Sequence, residues 1–331
     1  MSKRDDSLYE ASLHEVTPWP VFILGLSRSG TTFLYQTLAD VFPIASLTVY
    51  HVIEYDRILL YHKEGKAAAA ARELDKMFRS WNMATRLTDS IPLSHAMLEE
   101  YGWVLKRRAG AFHTNTKTAS QLQEICGKLQ FISPSAKAIL LKNPWDTGHA
   151  SNILDIYPDA RFIFLQRDPV AIVNSQFRIA KYFSETKDPF VNMLLKGIPL
   201  GQAWMWLQRA VRKAAGKRWH ARAALRYILR TVTRELFRLE TSWDMVASHQ
   251  RIAFDYTDLV NDQAGVLKKV SAFLGLPPRS DPSPEKPNPR APVLLPEVAA
   301  AEAVFRLRLE ETGIAQKPLD EIRKPISRIQ G

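Results

Sequence analysis

Residues Gly25-Leu-Ser-Arg-Ser-Gly30-Thr31-Thr32 place two glycines five positions apart, followed by hydroxyl residues. This is the G-x-x-x-x-G-x-[ST] spacing of a phosphate-binding loop joining a strand to a helix. The flanks agree: Val21–Leu26 is a short apolar run and Phe33–Ala39 has a helical pattern. In such a loop successive backbone N–H groups face one concavity at the positive end of a helix dipole, which suits a doubly charged phosphate ester. A nucleotide hydrolase would carry lysine after the second glycine; here that residue is Thr31, and the positive charge sits within the loop as Arg28. A plain Ser/Thr helix cap is the competing explanation, but the strand before and the helix after favour a phosphate loop.

Three further apolar runs, Lys137–Leu141, Arg161–Leu165 and Arg251–Phe254, read as buried strands separated by helical stretches. That alternation predicts an α/β fold: a P-loop-type parallel sheet of four to five strands flanked by helices. Residues 64–130 read as helical throughout and 199–247 as a second helical block. The chain is therefore expected to form a single domain over 1–331, with large helical insertions at about 56–135 and 186–247. Eight prolines between Gly275 and Pro296 predict an extended loop over 275–296, followed by a helix over Glu297–Gly313.

The next informative stretch is Arg161-Phe-Ile-Phe-Leu-Gln-Arg167-Asp168-Pro169, leading to Ser175. Asp168 is placed to cap a helix with Pro169 in its first turn, and Ser175 falls on the same face two turns on. Arg167, at the carboxyl end of a strand, and Ser175 are expected to converge on one anion. Reading Asp168 instead as a magnesium ligand is weak, because Gln166 and Arg167 intervene between it and the strand.

Together these elements resemble the PAPS-dependent sulfotransferases (PAPS, 3′-phosphoadenosine-5′-phosphosulfate), in the tyrosylprotein and bacterial branch. The resemblance covers about residues 19–55, 137–180 and 250–278. It implies that Arg28, Ser29, Gly30, Thr31 and Thr32 grip the 5′-phosphosulfate and that Arg167 and Ser175 hold the 3′-phosphate. The segment Tyr256-Thr-Asp-Leu-Val260 and then Phe273-Leu-Gly-Leu-Pro277 also matches, with Tyr256 expected to end a strand in a structural role.

The resemblance implies in-line sulfuryl transfer to a hydroxyl-bearing acceptor (carbohydrate, lipid-linked or small molecule), which needs cations on the leaving group and a base on the acceptor. Arg28 supplies one cation; Lys142, in Lys142-Asn-Pro144, matches the family's second. Where many relatives carry histidine four residues later, this chain has Asp146, with His149 beyond. For the base, His51 and Glu54 lie three apart after the first helix, either one able to act with the other orienting it. His51, which titrates near neutrality, is the first choice. No metal is expected.

The net charge of +11 is concentrated: Arg209–Arg238 holds ten Lys or Arg against a single acid, Glu235. Arginines at 218, 222, 226, 230, 234 and 238 recur every four residues beside Trp204, Trp206 and Phe237. A solvated face and an anionic membrane surface, over 204–238, are the main readings. No DNA- or RNA-binding motif accompanies the charge, which argues against nucleic acid. One cysteine, a polar start and no long apolar run lead to an expectation of a cytoplasmic protein, with a peripheral membrane contact as the variant. A P-loop kinase or NTPase and a non-catalytic, membrane-associated nucleotide-binding protein are the alternatives.

Overall fold

The computed structural model describes residues 5–86, 91–199, 201–280 and 293–312, without the side chains at 204, 205, 208 and 215. Five strands form one sheet: β1 (Pro20–Leu24), β2 (Ile44–Ser46), β3 (Ala138–Lys142), β4 (Arg161–Gln166) and β5 (Arg251–Asp255). Every neighbouring pair is parallel, in the order β2-β3-β1-β4-β5. Helices α1 (Thr31–Val41), α2 (Val49–Ile53), α3 (Ile58–Lys63), α4 (Ala67–Ser80), α5 (Gly102–Ala109) and α6 (Ala119–Ile132) lie between β1 and β3. Helix α7 (Ala150–Leu154) precedes β4. Between β4 and β5 come α8 (Pro169–Glu185), α9 (Pro189–Leu194), α10 (Gly201–Ala215) and α11 (Lys217–Met245). After β5 follow α12 (Tyr256–Asn261), α13 (Gln263–Leu274) and α14 (Pro296–Thr312).

The two-residue period of the strands sorts their side chains onto two cores. Val21, Ile23, Leu140 and Ile163 pack with Leu34 and Leu38 of α1 and with Val266 and Val270 of α13. Phe22, Leu24, Leu141 and Phe162 face the opposite way, toward buried residues of α5, α6, α8 and α11. The strands are apolar on both faces because helices cover both, as a parallel sheet requires.

Strand order also locates the site. From β1 the chain moves to β2 on one side of the sheet, and from β3 it crosses β1 to reach β4 on the other. The loops leaving the carboxyl ends of β1 and β4 therefore diverge and open a crevice, the usual ligand position in such sheets.

Several details differ from the sequence reading. Strand β2 was not anticipated; three residues are too few to show a period. Strand β1 stops at Leu24, two residues earlier than expected, because the chain must already turn at Gly25. An alanine Cβ at Gly25 would lie 2.6 Å from the Leu165 carbonyl oxygen, so only glycine lets the loop pass β4 this closely. Residues 64–130 are not helical throughout: α4 ends at Ser80, and α5 begins only at Gly102. Pro92, which would break a helix, pairs instead with Thr85 across an antiparallel bridge, as Leu98 does with Thr48. Tyr256 opens α12 rather than closing a strand, because Asp255 caps that helix by accepting from Thr257 N. Of the expected Pro-rich loop, residues 281–292 lie outside the described residues.

Candidate active site

Between β1 and α1 the loop adopts two left-handed conformations in sequence. Arg28 has φ 76° and Gly30 has φ 101°. Left-handed backbone costs a non-glycine residue about 1–2 kcal/mol, and Arg28 is held there from outside the loop. Its carbonyl accepts a 3.0 Å hydrogen bond from the Arg167 guanidinium, and its own Nε donates to Ser175 Oγ at 3.1 Å. At Gly30 the requirement is double, since an added Cβ would also sit 2.4 Å from the Tyr256 ring. That ring in turn lies 4.2 Å from the Arg167 guanidinium, a cation–π contact. Elements from β1, β4, α8 and α12 thus brace one loop.

The loop opens onto a cavity of about 890 Å³, lined on this side by Ser27, Arg28, Gly30, Thr31 and Thr32. No side chain caps the first turn of α1, which leaves its leading N–H groups for an anion. Ser29 is fully buried, and its hydroxyl has no hydrogen-bond partner. Ser29 does not line the cavity, so what meets an oxyanion there is the uncapped helix start and the loop arginine.

Facing the loop is Lys142, at the end of β3, whose side chain is 5% exposed. Its ammonium donates to Thr32 Oγ1 at 3.1 Å and to Glu100 Oε1 at 2.6 Å. Beside Glu100, buried Glu99 lies 3.5 Å from the Arg86 guanidinium, and burial raises its carboxyl above the usual range against the pull of that arginine. Arg86, Glu99, Glu100 and Lys142 all line the cavity. Trp103 and Trp145, in edge contact at 5.4 Å, and Phe183 and Phe190 add aromatic wall.

A model of the sulfotransferase family matches residues 20–215, more than half of the chain. The chain belongs to the sulfotransferase family. No curated protein matches it. Among solved structures it is similar to the sulfotransferase STF1 of Mycobacterium tuberculosis at 18% identity and TM-score 0.54, over 82% of this chain and 71% of that one. It is similar to the sulfotransferase STF9 of Mycobacterium avium at 15% identity and TM-score 0.55, over 91% and 70%. At these identities the likeness is one of fold.

Within this sulfotransferase the expected donor-site residues gather as one group. Arg28, Gly30, Thr31, Thr32, Lys142 and Arg167 line the cavity. Ser175 does not line it; it reaches the site through Arg28, so Arg167 and Ser175 converge on that residue. Asp168 does cap α8, accepting from Ala171 N at 3.0 Å, and its other oxygen meets Arg306 of α14 at 2.9 Å. Both oxygens are thus engaged in holding α8 and α14.

His51 and Glu54 stand apart from the cavity lining. His51 closes a capping box at the start of α2: its Nδ1 accepts from Thr48 N at 3.1 Å, and its backbone N–H donates to Thr48 Oγ1. Desolvation, with the nearby charge of His95, pushes its imidazole down to about 4. Glu54 ends the same helix and pairs with Arg57 at 3.8 Å. Neither borders the cavity that Arg28 and Lys142 line. Asp146 is a buried anchor accepting from Tyr101, Thr114 and Asn143. Glu99 and Glu100 were missed because their segment read as helix; Pro92 was the signal that it is not.

Proposed function

We propose that the protein transfers a sulfuryl group from PAPS to a hydroxyl acceptor by in-line displacement, with Glu100 as the base. The observation that carries this reading is the Thr32–Lys142–Glu100 chain of contacts. It places a cation and a carboxylate opposite the Arg28 loop in one cavity.

When bound, PAPS supplies a sulfuryl group on a phosphate leaving group. The first N–H groups of α1 and the Arg28 guanidinium would hold its phosphosulfate end, with Ser29 shaping the loop from beneath; Arg167 would serve the 3′-phosphate, and Ser175 would act through Arg28. Arg28 and Lys142 offset charge that grows on the bridging oxygen, where fixed cations are worth most. Glu100 takes the acceptor's hydroxyl proton as the oxygen–sulfur bond forms and the sulfur–bridging-oxygen bond breaks. The Trp103 and Trp145 side of the cavity suits an acceptor with an apolar or ring-faced body. A further part of the reading is peripheral attachment of the protein through the basic block 204–238.

Two measurements test the donor site. Adenosine 3′,5′-bisphosphate at a hundred times its Kd adds about 2.7 kcal/mol of stability, which raises Tm by several degrees in a thermal-shift titration. ATP and AMP produce smaller shifts; a larger one with ATP and magnesium, or none with the bisphosphate, overturns the donor assignment. Arg28→Ala lowers kcat by about 10²–10³-fold, the usual loss for one preorganised stabilising group, measured as transfer of labelled sulfate. A near-normal rate removes Arg28 from the mechanism.

A further inference from the structure

Helix α11 is a single 29-residue helix, and α10 joins it through Gly216 at φ 84°. At about 100° per residue, Leu225, Ile228, Val232, Leu239 and Trp243 share one arc, and all five are buried. The opposite half-turn carries Arg222, Arg226, Arg230 and Arg234, all exposed, while Arg218, also exposed, lies nearer the edge of the buried arc. Trp219, Tyr227 and Phe237 fall within that same outward arc, and they are 58%, 68% and 58% exposed. Large aromatics are thus turned to solvent although the helix has an apolar core face available on its other side. On α10 the pattern continues with Trp206 at 69% exposure, beside exposed Leu207 and Val211.

The charges on this face are mostly unanswered. Lys217–Arg234 contains no acidic residue. Arg212 pairs with Glu185, and Arg234 and Arg238 with Glu235. Among the described residues no carboxylate pairs with Arg218, Arg222, Arg226 or Arg230. A merely solvated face explains the arginines but not the tryptophans, tyrosine and phenylalanine between them. A second copy of the chain meeting this face about a two-fold axis would set the arginines against each other.

We propose that the outward face of α10 and α11 docks the protein on an anionic lipid bilayer. Arginines that meet headgroup phosphates, interleaved with Trp and Tyr at the depth where their amphipathic rings settle, are the chemistry of an interfacial helix. Both helices pack on α8, whose Ile179 and Phe183 line the cavity, and Arg209 of α10 donates to the Thr186 carbonyl just past the end of α8. Docking through α10 and α11 therefore seats the protein against helices that pack directly on α8, part of the cavity wall. The donor site plays no part in this inference.

The test is flotation of the full chain with phosphatidylglycerol-rich vesicles and with pure phosphatidylcholine vesicles. The protein floats with the first and not the second. At about a factor of five per basic residue near the surface, Arg222→Glu, Arg226→Glu and Arg230→Glu together lower partitioning at least about 100-fold. Trp219→Ser with Tyr227→Ser and Phe237→Ser lowers it as well, at unchanged charge. The bisphosphate thermal shift, kept in both variants, shows that they fold and separates this result from any failure of the donor assignment. Equal flotation of the triple-Glu variant, no flotation of the parent chain, or retention of the parent on an RNA column without flotation overturns the proposal.

Discussion

Glu100→Gln lowers kcat by about 10²–10⁴-fold, the range a positioned general base contributes. The substitution is nearly isosteric, and its amide oxygen still offers Lys142 an acceptor where Glu100 Oε1 stands at 2.6 Å. The cavity therefore keeps its shape, and the bisphosphate thermal shift stays close to that of the parent protein. What is lost is the group that accepts the acceptor's proton. His51→Ala provides the contrast: it removes one half of the α2 capping box, costs about 1 kcal/mol of stability, and leaves kcat within a few-fold. If Glu100→Gln turns over normally while His51→Ala does not, the base has been assigned to the wrong side of α2.

Lys128→Met lowers folding stability by about 3–5 kcal/mol, the cost of leaving a buried charge without its partner. Lys128 is 2% exposed on α6, and its ammonium meets Asp6 at 2.8 Å, Glu124 at 2.8 Å and the Tyr55 carbonyl at 2.9 Å. The Tyr55 ring lies 4.1 Å from the same nitrogen. Asp6, in turn, accepts from the backbone N–H of Leu60 at the start of α3. One lysine thus ties the N-terminal turn of 3-10 helix (Asp6–Glu15) to α3 and α6. Denaturant unfolding measures the loss, and adding Asp6→Asn to Lys128→Met recovers part of it by removing the stranded carboxylate. A loss below about 1 kcal/mol, the scale of an exposed pair, shows that the charge is hydrated.

The parallel sheet and the donor loop were legible because both follow from local pattern. Apolar strand runs, glycine spacing and an Asp-Pro helix start each act over fewer than about ten residues. Lys142 was also read, but Glu100, the proposed base, was not. Lys142 and Glu100 are 42 positions apart, and nothing in either neighbourhood points to the other. Residues 91–101, which carry Glu100, make isolated bridges to Thr48 and Thr85 and form no regular element before Tyr101, which leaves no period to read. His51 and Glu54 are ambiguous in sequence for a related reason. A histidine three residues after a threonine reads the same whether its ring caps a helix or faces a substrate, and only burial against the rest of the fold separates the two.

Arg167 and Ser175 hold Arg28 from 139 and 147 positions away. A nascent chain released before α8 is complete has the full glycine-rich loop but nothing to brace Arg28 in its left-handed conformation. On the proposed reading, donor affinity is a late property of the polypeptide, acquired only once β4 has joined the sheet beside β1. Ligand-dependent protection from proteolysis would therefore report on assembly of the central strands as well as on occupancy of the pocket.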